Sequence, residues 1–600
     1  VRCDWGDMQA RLRDLIDTGA ATAPGSPALT DVDGAVTTYA ELAALIRRRA
    51  ADLSMTGIGS GDRVGIVLPN GPHLAATFLS VSDIATAAPL NPALTTSEFE
   101  FYLGDLDTAA LIVAAGDDSP SVAAAARLDI PVIRLVADDE GAADFHFEGL
   151  SSAGSTPGIA GPAPSDIALV LHTSGTTARP KIVPLAHANL TTSAHNVATT
   201  LRLESADRCL NVMPLFHIHG LVAALLASMS AGASVMCSPG FDGVAFFRWL
   251  TAGHATWYTA VPTMHQTVLE RARAGEYTPG DAALRLARSS SASLAPTIIE
   301  GLESVLGVPV IEAYGMTEAA HQMTCNPLPP GARKPGSVGP AAGPEVAVAT
   351  PDGRHLDTGG VGEVVIRGAN VTAGYHGLED QSDHFHHDGW FRTGDQGYVD
   401  DDGYLFLTGR LKEIINRGGE TIAPREIDEA LLAVEGVRQV VAFAVPDGAL
   451  GEEVAAAVVL DDAATLTEAE IQERTAAHLT LAKVPKRIVF VDEIPKGPTG
   501  KLQRIGLAER LGITSVRRDE EATADTATID RVRRQWQSVL QLDVVGDDDP
   551  FLESGGDSVA ATALVVAIED EFDVELPLLA FYQAATIREQ ASLLDELLAA

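Results

Sequence analysis

Leu171-His-Thr-Ser-Gly-Thr-Thr-Ala-Arg-Pro-Lys181 is the stretch from which the fold is read. It follows the apolar run Asp166-Ile-Ala-Leu-Val-Leu171, so a buried strand is expected to open into a loop dense in hydroxyls that ends on a lysine. Backbone N–H groups of such a loop, Gly175 among them, can point inward. The hydroxyls of Thr173, Ser174, Thr176 and Thr177 can donate to phosphate oxygens, and Lys181 adds a point charge. The same residues also describe an ordinary polar turn, since Ser, Thr and Gly cluster in loops and the strict P-loop pattern is absent.

The surrounding chain separates the two readings. At 600 residues it exceeds what one core can hold, so several domains are expected. Composition is that of a globular protein, 46% hydrophobic and 20% charged, and Lys+Arg 42 against Asp+Glu 81 leaves a formal net charge of -39. That balance argues against nucleic acid and anionic membranes as partners and makes any anionic substrate dependent on locally placed cations. Cys3, Cys209, Cys237 and Cys325 lie far apart without metal-ligand spacing, which reads as buried, reduced thiols in a cytoplasmic protein. Arg2 to Thr18 reads as an amphipathic helix with Met8, Leu12, Leu15 and Ile16 on one side rather than as an export signal. Leu221 to Met236, rich in Ala, Ser and Gly, falls short of a membrane span and reads as a buried helix.

Before the loop, Val64–Leu68, Ala110–Ala114 and Pro131–Leu135 are short buried-strand candidates between helices such as Tyr39–Leu53, an alternation that predicts an α/β layered sheet. Asp138–Pro164 reads as loop. After it come Met213-Pro-Leu-Phe-His-Ile-His-Gly220, Thr256-Trp-Tyr-Thr-Ala-Val-Pro-Thr-Met-His-Gln266, Ser289-Ser-Ser-Ala-Ser-Leu-Ala-Pro296 and Val308-Pro-Val-Ile-Glu-Ala-Tyr-Gly-Met-Thr-Glu318. Taken singly, such histidines are more often core or surface residues than ligand contacts. In the last block Tyr314 offers a plane for a purine, Thr317 a hydroxyl for a phosphate and Glu318 a carboxylate for a hard cation.

With Gly362-Glu-Val-Val-Ile-Arg-Gly368, Trp390-Phe-Arg-Thr-Gly-Asp-Gln-Gly-Tyr398, Gly409-Arg-Leu-Lys-Glu-Ile-Ile415 and Pro495-Lys-Gly-Pro-Thr-Gly-Lys501, the ordered set resembles the acyl-adenylate-forming superfamily. That superfamily includes acyl-CoA ligases, adenylation domains of nonribosomal peptide synthetases and firefly luciferase. The resemblance runs from about residue 10 to 510 and implies a large adenylation core with layered sheets and helices, residues 1–409, and a small mobile α+β subdomain, residues 410–512. It also implies ATP and Mg²⁺ as cofactors and a two-step reaction, acid plus ATP giving acyl-AMP and then a thioester. By that likeness Thr173 to Lys181 would hold the β- and γ-phosphates, Tyr314 and Gly315 the adenine end, Thr317 the α-phosphate and Glu318 the Mg²⁺. Asp395 would take the ribose hydroxyls with Arg410 beside it, Lys501 would bridge substrate carboxylate and α-phosphate, and Lys412 would mark the hinge. Two family glycines are replaced, by Ala178 and Ile182, and neither change removes a donor.

Residues 513–528 are charged and nearly free of large apolar side chains, which reads as a linker. Residues 529–600 read as a small all-α four-helix unit with core positions Trp536, Leu540, Phe551, Leu552, Leu564, Phe572, Leu576, Phe581 and Ile587. Phe551-Leu-Glu-Ser-Gly-Gly-Asp-Ser558 resembles the attachment site of peptidyl and acyl carrier domains, which implies 4′-phosphopantetheine on Ser558 and a phosphopantetheinyl transferase as partner. An unmodified N-capping serine is the plain alternative.

His217 stands where amino-acid-activating domains of this superfamily usually carry an aspartate, which disfavours an α-amino acid. The blocks at 213–220, 256–266, 288–296 and 312–321 resemble the oxalate-CoA ligases, so His217, Ser291 and His321, with His265 nearby, are implied donors to the second carboxylate of a very small diacid. The expected activity is loading of a small carboxylic acid, a short diacid such as oxalate among the candidates, onto the chain's own carrier, for delivery to a downstream enzyme in trans. The alternatives are a CoA ligase that uses free CoA, a histidine-lined pocket for a small or aromatic monoacid, and a nucleotide-binding scaffold with dead chemistry.

Overall fold

The computed structural model describes the chain outside residues 1–9, 139–140, 151–160, 174–179, 379, 419, 448–449, 462–463, 496–503 and 514–525, and outside 541, 543, 552–553, 557, 573, 575, 578–579, 582–583 and 600. Its contacts form two compact units, residues 1–411 with 496–501, and residues 412–495 with 502–600.

In the first unit a seven-stranded sheet runs Phe145–Glu148, Val132–Ala137, Thr108–Ala114, Arg63–Val67, Thr86–Pro89, Ile167–His172, Ile182–Ala186. Its inner pairings are parallel and its two edge strands antiparallel. Parallel strands are covered on both faces, which is why Thr108–Ala114 reads Thr-Ala-Ala-Leu-Ile-Val-Ala with no charge in it. The helix Tyr39–Met55, which packs on the helix Pro72–Ser82, starts at a capping box: Glu41 N donates to Thr38 Oγ1 at 3.3 Å, and Thr38 N donates to Glu41 Oε2 at 2.8 Å.

An eight-stranded sheet is ordered His321–Cys325, Val310–Met316, Leu286–Ser289, Trp257–Ala260, Arg208–Asn211, Ser234–Cys237, Pro27–Thr30, Val36–Thr38. Its central strands are parallel, so their carboxyl ends open on one edge, where α/β sheets hold ligands. The four blocks singled out in the sequence leave the sheet at that edge. A four-stranded antiparallel sheet, Glu345–Ala349, Gly362–Arg367, Phe391–Val399 and Leu405–Arg410, completes the unit.

The second unit holds a five-stranded sheet built on the long pair Val437–Asp447 and Gly451–Leu460, with helices Pro424–Leu432 and Glu468–Ala476. Its C-terminal part is helical, with Thr526–Leu540, Ser558–Phe572 and Ile587–Ala599. Trp536, Phe551, Leu564, Phe572, Leu576, Phe581 and Ile587 form one buried cluster against which Leu540 packs; Leu552 lies outside the described residues. Trp536 is fully buried and its indole N–H donates to Gln590 Oε1 at 2.8 Å.

Three local expectations change. The N-terminal helix spans Leu12–Thr22, with Leu12, Leu15 and Ile16 buried and Met8 outside the described residues. Arg11 N donates to Asp14 Oδ2 at 2.8 Å, which closes the first turn there. Within 138–164, Phe145–Glu148 is an edge strand whose alternate residues Phe145 and Phe147 are buried. The apolar run 221–236 is not one helix: the helical part ends at Ser230, Gly232 turns the chain at φ +69°, and Ser234–Cys237 enters the sheet. Among the described residues no helix is long and apolar enough to cross a membrane. Cys209, Cys237 and Cys325 are buried free thiols, the last two pushed up by burial to about 12 and about 11; Cys3 lies outside the described residues.

Candidate active site

The hydroxyl-rich loop leaves the seven-stranded sheet at His172 and returns at Ile182, whose β-branched side chain opens the antiparallel edge strand. Its neck is tied twice, by Thr173 N donating to the Lys181 carbonyl at 2.9 Å and by Lys181 N donating to Thr173 Oγ1 at 3.3 Å. Ser174, Gly175, Thr176 and Thr177 lie outside the described residues. Lys181 Nζ is 3.0 Å from His384 Nε2 and 4.5 Å above the Tyr375 ring. An ammonium is donor-only, so that imidazole nitrogen accepts. Tyr375 OH in turn donates to Glu318 Oε1 at 2.6 Å. Glu318 is buried, and its carboxyl is held above the ordinary range by burial, against the lowering effect of the Tyr375 bond.

Thr317 and Glu318 occupy the single 3₁₀ turn Thr317–Ala319 that follows the strand Val310–Met316. In that strand Gly315 is required by a close approach, since a Cβ there would fall 1.7 Å from the His321 carbonyl oxygen. One residue earlier, Tyr314 OH donates to Asp395 Oδ2, while Arg410 Nε lies 3.1 Å from Asp395 Oδ1. Asp395 and Arg410 are paired across neighbouring strands, and Asp395 is buried where Arg410 is exposed. Burial and the Asp395 carboxylate both push the Tyr314 phenol upward, so it remains a donor. A carboxylate offers about four lone-pair sites, so with these two donors on it Asp395 is oriented and still able to accept a diol.

At the ends of the central strands a third cluster forms. His219 is fully buried, with Nε2 2.6 Å from Thr259 Oγ1, Nδ1 3.1 Å from Ser291 Oγ and its ring edge-on to His321 at 4.9 Å. His219 N donates to His217 Nδ1 at 3.3 Å. His217, Ser291 and His321 are thereby brought together around His219. His265 is not among them. It stands in the first turn of the helix Pro262–Arg271 and faces the core, with Nδ1 3.2 Å from Tyr258 OH and Nε2 3.2 Å from the Arg288 carbonyl. Burial lowers its imidazole to about 4, and with both nitrogens occupied it has no proton for a substrate.

Lys501 lies outside the described residues, as does the side chain of Ser558, whose backbone opens the helix Ser558–Phe572. Lys412 is exposed and begins the second compact unit. The structure adds four residues that motif reading passed over: His219, Thr259, Tyr375 and His384. His219 and Thr259 lay inside the quoted blocks, where a second histidine two residues after the first was the available signal. Tyr375 and His384 meet Lys181 only through the fold.

Known proteins bear on this geometry. The chain matches the AMP-binding enzyme family over residues 16–376, its C-terminal domain over 426–501 and the phosphopantetheine attachment site over 530–594. An oxalate–CoA ligase of Arabidopsis thaliana is 43% identical over 83% of this chain and 98% of its own length. A sulfoacetate–CoA ligase of Cupriavidus necator is 38% identical over 83% of this chain and 97% of its own. Among solved structures, ATP-bound MatB from Rhodopseudomonas palustris superposes with a TM-score of 0.76 at 30% identity, covering 84% of this chain and all (100%) of that one.

Proposed function

The chain belongs to the AMP-binding, adenylate-forming enzymes and is an AMP-forming acid–thiol ligase with a phosphopantetheine carrier domain; from that premise we propose that it loads a small acid, a short diacid such as oxalate, onto its own carrier. A carboxylate is a poor electrophile, and joining it to AMP supplies a leaving group before a thiol attacks. In-line attack at the α-phosphate spreads charge over its oxygens, so the chain's task is to position and neutralise.

The described groups fit such a nucleotide. Asp395, fixed by Tyr314 and Arg410, takes the ribose diol; Lys181 and the Thr173 neck serve the outer phosphates, Thr317 the α-phosphate. Glu318 is a single buried carboxylate whose other side is held by Tyr375, a fit for Mg²⁺, which takes one or two protein carboxylates and completes its shell with phosphates and water. The metal supplies charge neutralisation there. Lys501 bridges the reacting carboxylate and α-phosphate, and Lys412 is the pivot that withdraws it. His217, Ser291 and His321, gathered on His219, hold the second carboxylate. That cluster is the single observation that carries the substrate reading. Phosphopantetheine on Ser558, attached by a separate transferase, supplies the thiol, and the thioester is delivered in trans.

One observation favours a second reading. The Arabidopsis relative, a CoA ligase by name, is matched over 98% of its own length by 83% of this chain, so free CoA is the rival acceptor. The test is to treat the protein with a phosphopantetheinyl transferase, ATP and labelled oxalate, beside Ser558→Ala. Label on the wild-type protein and none on the variant supports self-loading. Release of acyl-CoA without protein label supports the rival. Absence of acid-dependent ATP–pyrophosphate exchange with every acid in a panel of diacids, monoacids and amino acids rejects both and leaves a nucleotide-binding scaffold.

A further inference from the structure

We propose that Arg288, Thr259 and His219 form a directed donor relay that commits the Ser291 hydroxyl to give its proton to the remote carboxylate of the bound acid. The inference rests on the small-diacid reading above and names the residues that would determine that specificity. Thr259 and Arg288 are register partners on the adjacent parallel strands Trp257–Ala260 and Leu286–Ser289, so their side chains leave the sheet on the same face. Arg288 is fully buried, with Nη1 3.4 Å from Thr259 Oγ1 and Nη2 3.3 Å from Gln322 Oε1. Among the described residues no carboxylate pairs with it. A guanidinium has donors only, so Thr259 Oγ1 receives from it.

Arg288 uses one lone pair of Thr259 Oγ1, and in the relay the threonine's own hydrogen goes to His219 Nε2, 2.6 Å away. A neutral imidazole that accepts at Nε2 carries its proton on Nδ1, 3.1 Å from Ser291 Oγ. In that order Ser291 Oγ receives from His219, and its own hydrogen is left to point elsewhere. Ser291 sits at φ +79°, a left-handed conformation that few residues other than glycine adopt and that tends to persist where the surroundings require it.

The chemical consequence concerns selection. A free serine hydroxyl donates or accepts and discriminates weakly between an acid tail and a neutral one. A hydroxyl that accepts from an imidazole keeps its own hydrogen free to give, and that hydrogen prefers the acceptor-only, charged carboxylate. The buried Arg288 charge adds a favourable field for that anion without touching it. Thr259 and Arg288 are positioning residues in this scheme.

The test uses the full chain and the ratio of kcat/KM for oxalate to that for acetate in ATP–pyrophosphate exchange. Thr259→Val is expected to lower that ratio by about tenfold, the effect of one lost hydrogen bond to a charged group, through KM rather than kcat. Thr259→Ser is expected to restore it. In a Ser291→Ala background Thr259→Val is expected to add nothing, because the relay then has no end. A ratio unchanged by Thr259→Val, a failure of serine to restore it, or an equal loss in both backgrounds overturns the relay. Selectively ¹⁵N-labelled histidine spectra of the wild-type protein decide independently of any variant: a proton on His219 Nδ1 supports it, a proton on Nε2 overturns it. A wild type with no preference for oxalate over acetate rejects the substrate reading before any variant is made, and the histidine spectra still judge the relay.

Discussion

Tyr375→Phe isolates one bond in the proposed metal and phosphate site. The ring that sits 4.5 Å below Lys181 Nζ and edge-on to His384 at 4.7 Å is kept, while the hydroxyl 2.6 Å from Glu318 Oε1 is lost. A hydrogen bond to a charged acceptor contributes about 1.5–3 kcal/mol, and one pKa unit corresponds to about 1.4 kcal/mol. Glu318 should therefore titrate about 1–2 units higher in the variant than in the wild type. Burial already holds its carboxyl above the ordinary range, and the Tyr375 bond opposes that by favouring the charged form. The ionised form is the one that can serve Mg²⁺, so activity is present above this pKa and falls as pH drops through it. Raising the pKa moves that loss to higher pH. The assay is the pH profile of kcat/KM in acid-dependent ATP–pyrophosphate exchange at fixed excess Mg²⁺, which reports free-enzyme ionisations. An acid limb displaced upward by about 1–2 pH units is the expected result. A variant whose acid limb superimposes on that of the wild type refutes the role given to the Tyr375–Glu318 bond.

Asp395→Asn keeps the shape of the proposed ribose-binding carboxylate but loses its charge and half of its acceptor capacity. It should raise the KM for ATP by about tenfold or more, read in exchange assays at saturating acid. In the second unit Arg504 Nη2 pairs with Asp428 Oδ2 at 2.6 Å and its Nε with Glu413 Oε2 at 3.2 Å, and burial already raises the Asp428 carboxyl. Arg504→Ala leaves that carboxylate unpaired and should destabilise the unit by about 3–5 kcal/mol, visible as a lowered transition in calorimetry. His187 and His265 are both depressed to about 4 by burial, so the unfolded chain takes up their protons first. Their contribution to stability is full above about 6.5 and is lost as pH falls toward 4, at up to about 1.4 kcal/mol per unit for each. Urea titrations between neutral pH and pH 4.5 should show that slope, and His265→Gln should reduce it.

Much of the fold was legible because the signals were local. Strands such as Thr108–Ala114 are continuous apolar runs, and the C-terminal helical cluster around Trp536 shows its buried side chains at helical spacing. Boundaries failed where a short element interrupts a long pattern: the turn at Gly232 divides an apolar run, and Phe145–Glu148 is a strand too brief to stand out from its polar flanks. In the candidate site, type and place were readable for groups at strand ends, since a strand followed by a turn aims its next residues at the ligand edge. Tyr314, Glu318 and Ser291 are of that kind.

What could not be read was which polar group meets which, because that depends on register between distant strands. His265 and His219 are chemically equal in the sequence, each a histidine in a motif block near an apolar run. The helix beginning at Pro262 turns the first into the core against Tyr258, while the second lies between Thr259 and Ser291. Arg288 looks like an isolated charge ahead of three serines, yet its register opposite Thr259 puts its guanidinium 3.4 Å from the hydroxyl that meets His219. A buried cation without a carboxylate is costly to hold unless something benefits from its field. In a chain of net charge -39, a small dianion approaching the ligand edge meets repulsion everywhere except where such cations are placed. The selectivity of the pocket would then depend less on the histidines proposed to hold the acid than on the residues behind them that fix their protons. Loss of oxalate preference in Thr259→Val, a residue argued to make no substrate contact, is the outcome that separates those two accounts.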